Sequence, residues 1–328
     1  MTTNNNKMKK SILVNNPIVK FVKENMGILI GLFALSLFLT IFTDSFFDSK
    51  NLLTVLRQIS INALLAIGMT FVLIIGGIDL TVGSVVGAAG VAVVMLMESG
   101  FTMGVAILLA LLLGALIGFL NGAIIAFTGM PSFIVTLSMM GMIRGLAYII
   151  TDGRSVSSNN DLFKSMGNGY LLGVPIPIYV VVVVVIIVSI ILYKTRFGRR
   201  MYAVGGNSLA ARFSGIKIKG LTIKVYIISG ILSALAGVIL ASRMYSGQPT
   251  AGQGYESDAI AAAVLGGTSF TGGIGTIGGT LIGALVIGVL SNGLNLLHVS
   301  SYVQMVVKGI VIIGAVALDL FRNKDKTN

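Results

Sequence analysis

The chain has 328 residues, of which 55% are hydrophobic and 10% charged, with a formal net charge of +12 at pH 7 and no cysteine. An ordinary soluble domain carries about 25% charged residues, so this composition excludes a water-soluble fold and points to a bilayer. The missing thiols exclude disulfides and cysteine-ligated metal, and the positive charge falls in separate clusters rather than in a stripe suited to nucleic acid.

The stretch 1–25 is polar and basic, with Lys7, Lys9, Lys10, Lys20 and Lys23. Its opening "MTTNNNKMKK" is followed by polar "NNP" rather than by an apolar core with a small-residue cleavage site, so a cytoplasmic tail without a cleaved signal is expected. Apolar runs at 26–43, 52–76, 79–97, 102–128, 131–151 and 176–193 then match the roughly 17 to 25 residues that a membrane crossing needs. Six crossings return the chain to the side on which it began. There the loop 194–224 holds Lys194, Arg196, Arg199, Arg200, Arg212, Lys217, Lys219 and Lys224 without one acidic residue. The positive-inside rule puts it in the cytoplasm, together with the tail 322–328 and its Arg322, Lys324 and Lys326.

Beyond that loop, 225–245, 274–297 and 301–320 read as spans, and a cytoplasmic C-terminus requires one more. The candidate is 257–273, short, glycine-rich and led by Glu256 and Asp258, which reads as a broken or partial helix. The expected fold is therefore an all-α integral membrane protein of about ten transmembrane helices, forming a single domain over 26–321. Non-helical backbone at membrane depth must be covered by protein or line a water-filled path. Glu256, Asp258, Gly266 and Gly267 are path candidates on that ground.

An internal match extends the idea. "GGIDLTVG" at 76–83 and "GGTSFTGG" at 266–273 share two glycines, a threonine and a final glycine, and interrupted helices at matching places are common in transporters. Chance in a chain with 42 glycines is the alternative. Gly76, Gly77 and Asp79 join the candidates, although Asp79 also suits a helix cap. Asn62, Asn121, Asn292 and Asn295 can bond a neutral polyhydroxy solute or bond between helices. Arg144, inside a span, should face protein or water, whereas Arg57 and Lys308 lie nearer span ends and can snorkel.

Gly273-Ile-Gly275-Thr-Ile-Gly278 fits a dinucleotide fingerprint by spacing alone. An apolar run of helical length follows it and no acid appears until Asp319, so that reading fails. Gly279-x-x-x-Gly283 and Gly114-x-x-x-Gly118-x-x-x-Gly122 are ridges for close helix packing. There is no Gly-Lys dipeptide, hence no P-loop, so any ATP must be bound by another chain. The single His298 can form neither a metal site nor a triad alone.

Within the basic loop, Gly205-Gly206-Asn207-Ser208 is a turn and N-cap signal, Leu209 to Phe213 are helix formers, and Gly215 is a stop. A short helix there would rest on anionic lipid or dock a cytoplasmic partner. Ala210-Ala211-x-x-x-Gly215 resembles the Glu-Ala-Ala-x-x-x-Gly coupling loop of the membrane subunits of ABC importers, with Leu209 in place of the glutamate. "GIDLTVGS" (77–84), "SFIVTLSMMGMIRG" (132–145), "TRFGRRMYAVGGN" (195–207), "QPTAGQGYESDAIAAAVLGGTSFTGG" (248–273) and "SNGLNLLHVSSYVQMVVKGIVI" (291–312) resemble the ribose-type sugar permeases of that superfamily.

The resemblance implies a permease of the bacterial cytoplasmic (inner) membrane that moves a monosaccharide, ribose first, by alternating access. It implies a second copy of the chain, ATPase subunits inside that carry the ATP and Mg, and a sugar-binding protein outside. The outer loop 152–175, with Arg154 and Lys164, is the candidate dock for the latter. Contact with the ATPase would fall on Asn207, Ala210, Ala211, Arg212 and Gly215, apolar docking replacing the missing glutamate. No cofactor or metal is expected on this chain, and no catalysis. The rival is a proton-coupled secondary sugar transporter or channel, with Asp79 or Glu256 carrying protons. A membrane enzyme would need a cluster of reactive side chains that the sequence lacks.

Overall fold

The computed structural model describes residues 21–22 and 25–324, with side chains up to residue 317. The basic residues Lys7, Lys9, Lys10, Lys20, Lys23 and Lys326, and most of the two expected tails, lie outside the described residues. Along the chain run α1 (Met26–Phe42), α2 (Ser49–Ile74), α3 (Val82–Glu98), α4 (Met103–Thr128) and α5 (Ser132–Thr151). A small segment follows: β1 (Val156–Ser157), α6 (Asp161–Asn168), β2 (Tyr170–Leu171) and β3 (Val174–Pro175). Then come α7 (Ile176–Ser189) with a π-helical end (Ile190–Lys194), α8 (Arg196–Gly206), α9 (Ser208–Phe213), α10 (Ile218–Met244) and β4 (Ser246–Gly247). The chain closes with α11 (Tyr255–Leu265), α12 (Ile277–Leu296) and α13 (Ser301–Lys324).

Six helices, α2, α4, α5, α7 with its π-helical end, α10 and α12, are long and apolar enough to cross a membrane. Three shorter apolar helices, α1, α3 and the stretch Ser301–Ala317 of α13, and the eleven-residue α11 occupy the other expected segments. Leu108, Leu112, Leu116, Ile149, Ile186 and Ile187 point outward from α4, α5 and α7, as lipid-facing side chains do.

Small residues set the centre. On α10, Ser229, Gly230, Ala234 and Gly237 are buried where α3 and α4 cross it. A Cβ on Gly114 would strike the Gly230 carbonyl, one on Gly118 the Tyr226 backbone, and one on Gly237 the Val86 carbonyl of α3. Lipid is as apolar as leucine, so helices gain from contact only through close dispersion and hydrogen bonding, and these glycines permit that approach.

The two matched sequence stretches both terminate helices. At the end of α2, Gly77 N–H donates to Val72 O (3.0 Å) and Gly76 N–H to Leu73 O (2.8 Å). At the end of α11, Thr268 N–H donates to Ala263 O (3.0 Å) and Gly267 N–H to Val264 O (2.9 Å). Gly76 and Gly267 take left-handed φ of 77° and 83°, which glycine alone adopts without strain. The helix ends thus pair Gly76 with Gly267, one residue off the sequence match. The turns that follow keep the sequence alignment: Thr81 N–H bonds Asp79 Oδ1 (3.0 Å) and Thr271 N–H bonds Ser269 Oγ (3.3 Å).

The expected broken or partial helix is α11, followed by irregular backbone, and the interruption extends to both sides of it, because the backbone is also non-helical at 248–254. Pro249 lacks an N–H, and Gly252 and Gly254 sit at positive φ, so a helix cannot extend through this stretch. It lies along α3, with Gly247 against the backbone of Gly90 and Val91 and Gly252 against Gly83 and Val86. The antiparallel pairs β1–β4 and β2–β3 tie the 152–175 loop to itself and to the start of this stretch.

The basic loop holds two helices rather than one. The expected helix is α9; α8 is hidden from a charge-based reading by Arg196, Arg199 and Arg200, although Met201 and Val204 turn inward.

Candidate functional site

The α2–α3 break is held by a closed polar cluster. The Asp79 carboxylate accepts from Thr81 Oγ1 (2.5 Å) and Thr81 N–H through Oδ1, and from Ser229 Oγ (2.7 Å) through Oδ2. Asn121 of α4 donates to Thr81 Oγ1 (2.9 Å), and Tyr226 Oη donates to Ile78 O (3.0 Å). Asp79 is therefore not the N-cap of α3, a position that Thr81 takes; its carboxylate ties the break to α10. Asp79, Asn121 and Ser229 are all buried, and Asn121 Oδ1 has no partner.

Arg144 supplies what the irregular stretch before α11 lacks. Its guanidinium donates to Pro249 O (2.5 Å), Ala251 O (2.6 Å) and Gly83 O (3.0 Å). One fork thus satisfies carbonyls of two segments that approach each other backbone to backbone. Glu256, in the first turn of α11, lies beside Gly83 and is partly buried. Asp258, two residues further along α11, pairs with Lys308 of α13 (2.7 Å). Lys308 turns into the protein instead of snorkelling outward. Arg57 is held too, donating to Asn168 O (2.9 Å) and lying over the Tyr170 ring.

The other candidates join helices. Asn292 of α12 and Asn51 of α2 exchange hydrogen bonds (2.8 and 3.1 Å), and Asn295 accepts from Gln304 (2.8 Å). Thr70 and Thr280 pair at 2.6 Å between α2 and α12. Asn62 is buried on α2. Gly266 meets Gly279, and Gly283 meets the Ala262 carbonyl, so the expected glycine ridge packs α12 on α11. The structure brings Asp79, Gly77 and Asn121 together around one break, and Gly266, Gly267, Glu256 and Asp258 along α11, but it does not merge the two groups.

At one end of the bundle, α9 is capped by Asn207, whose Oδ1 accepts from Ala210 N–H (2.9 Å), and closed by Gly215 at φ 78°. Ala211 is buried, while Arg212 is exposed and Leu209 and Phe213, one turn apart, are 62% and 83% exposed. A cavity of about 450 Å³ beside α9 is lined by Arg200, Lys217 and Lys224 with Phe197, Ile216 and Leu221. At the other end of α10, a cavity of about 620 Å³ is lined by Ser155, Ser157, Asn159, Asn168, Tyr245 and Ser246 among others.

Two tyrosines that the sequence reading passed over link α9's neighbourhood to the second break. Tyr202 Oη donates to Gly275 O (2.7 Å), and Tyr193 Oη accepts from Ile277 N–H (2.9 Å). Burial pushes the Tyr202 phenol well above its ordinary range, so it remains a donor. Their partners lie more than seventy residues away, which no local pattern discloses.

Over residues 51–316 the chain matches the family described as branched-chain amino acid transport system / permease component. It is 49% identical over 300 residues to the ribose import permease protein RbsC of Bacillus subtilis, covering 91% of this chain and 93% of that protein. It is 45% identical over 323 residues to RbsC of Haemophilus influenzae (97% and 100% covered). With the L-arabinose transport system permease protein AraH of Escherichia coli it shares 39% over 303 residues (92% and 92%). No solved structure matches. A bundle of apolar helices, two helix breaks braced by buried polar groups and similarity along nearly the whole chain agree: the protein belongs to the branched-chain amino acid transport system / permease component family.

Proposed function

We propose that this chain is the membrane permease subunit of an ATP-driven ribose importer in the bacterial cytoplasmic membrane. The observation that carries the proposal is the 45–49% identity to ribose import permeases across almost the full length of both chains. In this reading the chain crosses the bilayer ten times with both termini in the cytoplasm. The 17-residue α1 and α3 span about 26 Å at 1.5 Å per residue, close to the hydrocarbon thickness. The remaining crossing, eighth in chain order, is α11 with its irregular lead-in.

Two copies stand side by side, and ATPase subunits, which hold the ATP and Mg, dock on α9 through Leu209 and Phe213 with Ala210, Arg212 and Gly215 around them. A sugar-binding protein delivers ribose at the opposite end, where α6 and the short strands lie. ATP drives transport only if α9 meets the ATPase differently in the two access states. The path candidates remain Glu256, Asp258 and the glycines at the breaks, with Asn62, Asn121, Asn292 and Asn295.

The test is uptake of labelled ribose by cells carrying this chain with its partner subunits, with ATP depleted in one sample and the proton gradient collapsed in another. Loss on ATP depletion alone, with competition by unlabelled ribose over arabinose, is the expected result. Loss on gradient collapse at constant ATP would overturn the reading in favour of a proton-coupled carrier.

A further inference from the structure

Three segments meet in a junction built from glycine. Gly205 and Gly206 end α8, Gly76 follows α2, and Gly272 and Gly273 precede α12. The Gly273 N–H donates to the Ile74 carbonyl (2.8 Å). A Cβ on Gly205 would overlap that same carbonyl and the Gly273 amide; one on Gly272 would press on Gly205 O and Gly76 N, and one on Gly273 on the Gly206 backbone. Backbone touches backbone here, with no side chain between to change rotamer and absorb a displacement.

The phenols reinforce this contact. Gly275 O lies before α12 and Ile277 N–H is in its first turn, so neither has a partner within the helix ladder. Tyr202 of α8 and Tyr193 at the π-helical end of α7 supply those partners. Only Asn207 separates the end of α8 from α9, and Asn207 itself caps α9.

We infer that Tyr202 and Tyr193, with Gly205, are positioning residues that make α8 a rigid lever, so that a movement of α9 shifts the end of α2 and the start of α12 together. The inference rests on reading α9 as the ATPase contact. Those two helix ends flank both breaks, so a single push reaches the two places where the crossings are already interrupted. Packed backbone contacts of this kind move between discrete arrangements rather than deforming gradually.

The test uses the whole complex, permease with its ATPase subunits and sugar-binding protein, in proteoliposomes, with ATP hydrolysis and labelled ribose entry measured on the same sample. Tyr202→Phe keeps the ring and removes one donor. The expected result is an ATPase that still co-purifies and still hydrolyses, with ribose moved per ATP reduced about tenfold, the size of one buried hydrogen bond lost in one state. Tyr193→Phe should act in the same direction. An unchanged ratio in both variants, or a proportional fall in both activities together with a lowered melting temperature, would overturn the lever.

A second measurement does not depend on those variants folding. The chain has no cysteine, so Ser208→Cys and Thr271→Cys can carry a spin-label pair. A rigid lever keeps that distance constant between nucleotide-free and ATP-bound complexes; a distance that changes with nucleotide overturns it. Failure of the docking reading is distinct, because then the ATPase would remain bound to a Leu209→Asp, Phe213→Asp double variant.

Discussion

The Asp79 carboxylate accepts a hydrogen bond of 2.7 Å from Ser229 Oγ, joining the α2–α3 break to the middle of α10. Asn in its place keeps an oxygen for the Thr81 N–H and can donate to the serine oxygen, so Asp79→Asn should hold the melting temperature near that of the native chain. Asp79→Ala leaves the Thr81 and Ser229 donors without their acceptor and opens a void, which costs about 3 kcal/mol. Thermal unfolding of the detergent-solubilised protein checks the order. An Asn variant as unstable as the Ala variant would mean that the charge itself is required.

Arg144 bonds three carbonyls from a planar fork that lysine cannot reproduce. Arg144→Lys should therefore fail to rescue Arg144→Gln, and both should lower ribose uptake by about tenfold or more, the equivalent of one or two charged hydrogen bonds. Uptake normalised to the amount of protein in the membrane measures this. Near-native uptake by Arg144→Lys would leave the arginine as a simple positive charge.

Asp258 and Lys308 join α11 to α13 at 2.7 Å, with the carboxylate almost fully enclosed. Removing either partner strands the other, so Asp258→Leu or Lys308→Met alone should destabilise by about 3 kcal/mol, whereas the double change recovers most of the loss. A double-mutant cycle on melting temperature and on uptake separates two roles. Restored stability without restored uptake would assign the pair to transport rather than to packing.

Leu209, which stands where the related coupling motif carries a glutamate, forms an exposed apolar pair with Phe213 on α9. Burying a leucine or phenylalanine side chain on docking contributes about 2 kcal/mol. Leu209→Asp and Phe213→Asp should each reduce ATPase co-purification by tenfold or more without affecting membrane insertion. Retention of the ATPase by both would remove the pair from the interface.

Much of this architecture was legible in the chain. Apolar runs of spanning length and the cations of 194–224 mark the helices in order, because lipid tolerates neither unpaired backbone nor stray charge. Asn207 before helix formers and Gly215 after them locate α9, because capping is local chemistry. The matched GGIDLTVG and GGTSFTGG stretches mark both helix breaks, since Gly76 and Gly267 end their helices at positive φ, a conformation that glycine adopts without strain.

What the sequence could not disclose is everything that depends on distant backbone. Arg144 was visible as a costly charge, but its partners at Pro249, Ala251 and Gly83 exist only once α5, α3 and the stretch before α11 are packed. Lys308 reads as a snorkelling residue until α13 is placed against α11 and Asp258 receives it. Tyr193 and Tyr202 carry no local signal in the sequence, and their partners Ile277 and Gly275 reach them only once α12 begins beside them. Composition and periodicity decide which segments enter the bilayer, because that choice is a partition between solvents made segment by segment. Tertiary structure decides which polar groups meet, because hydrogen bonds act over about 3 Å and the groups that satisfy one another here lie up to 241 residues apart.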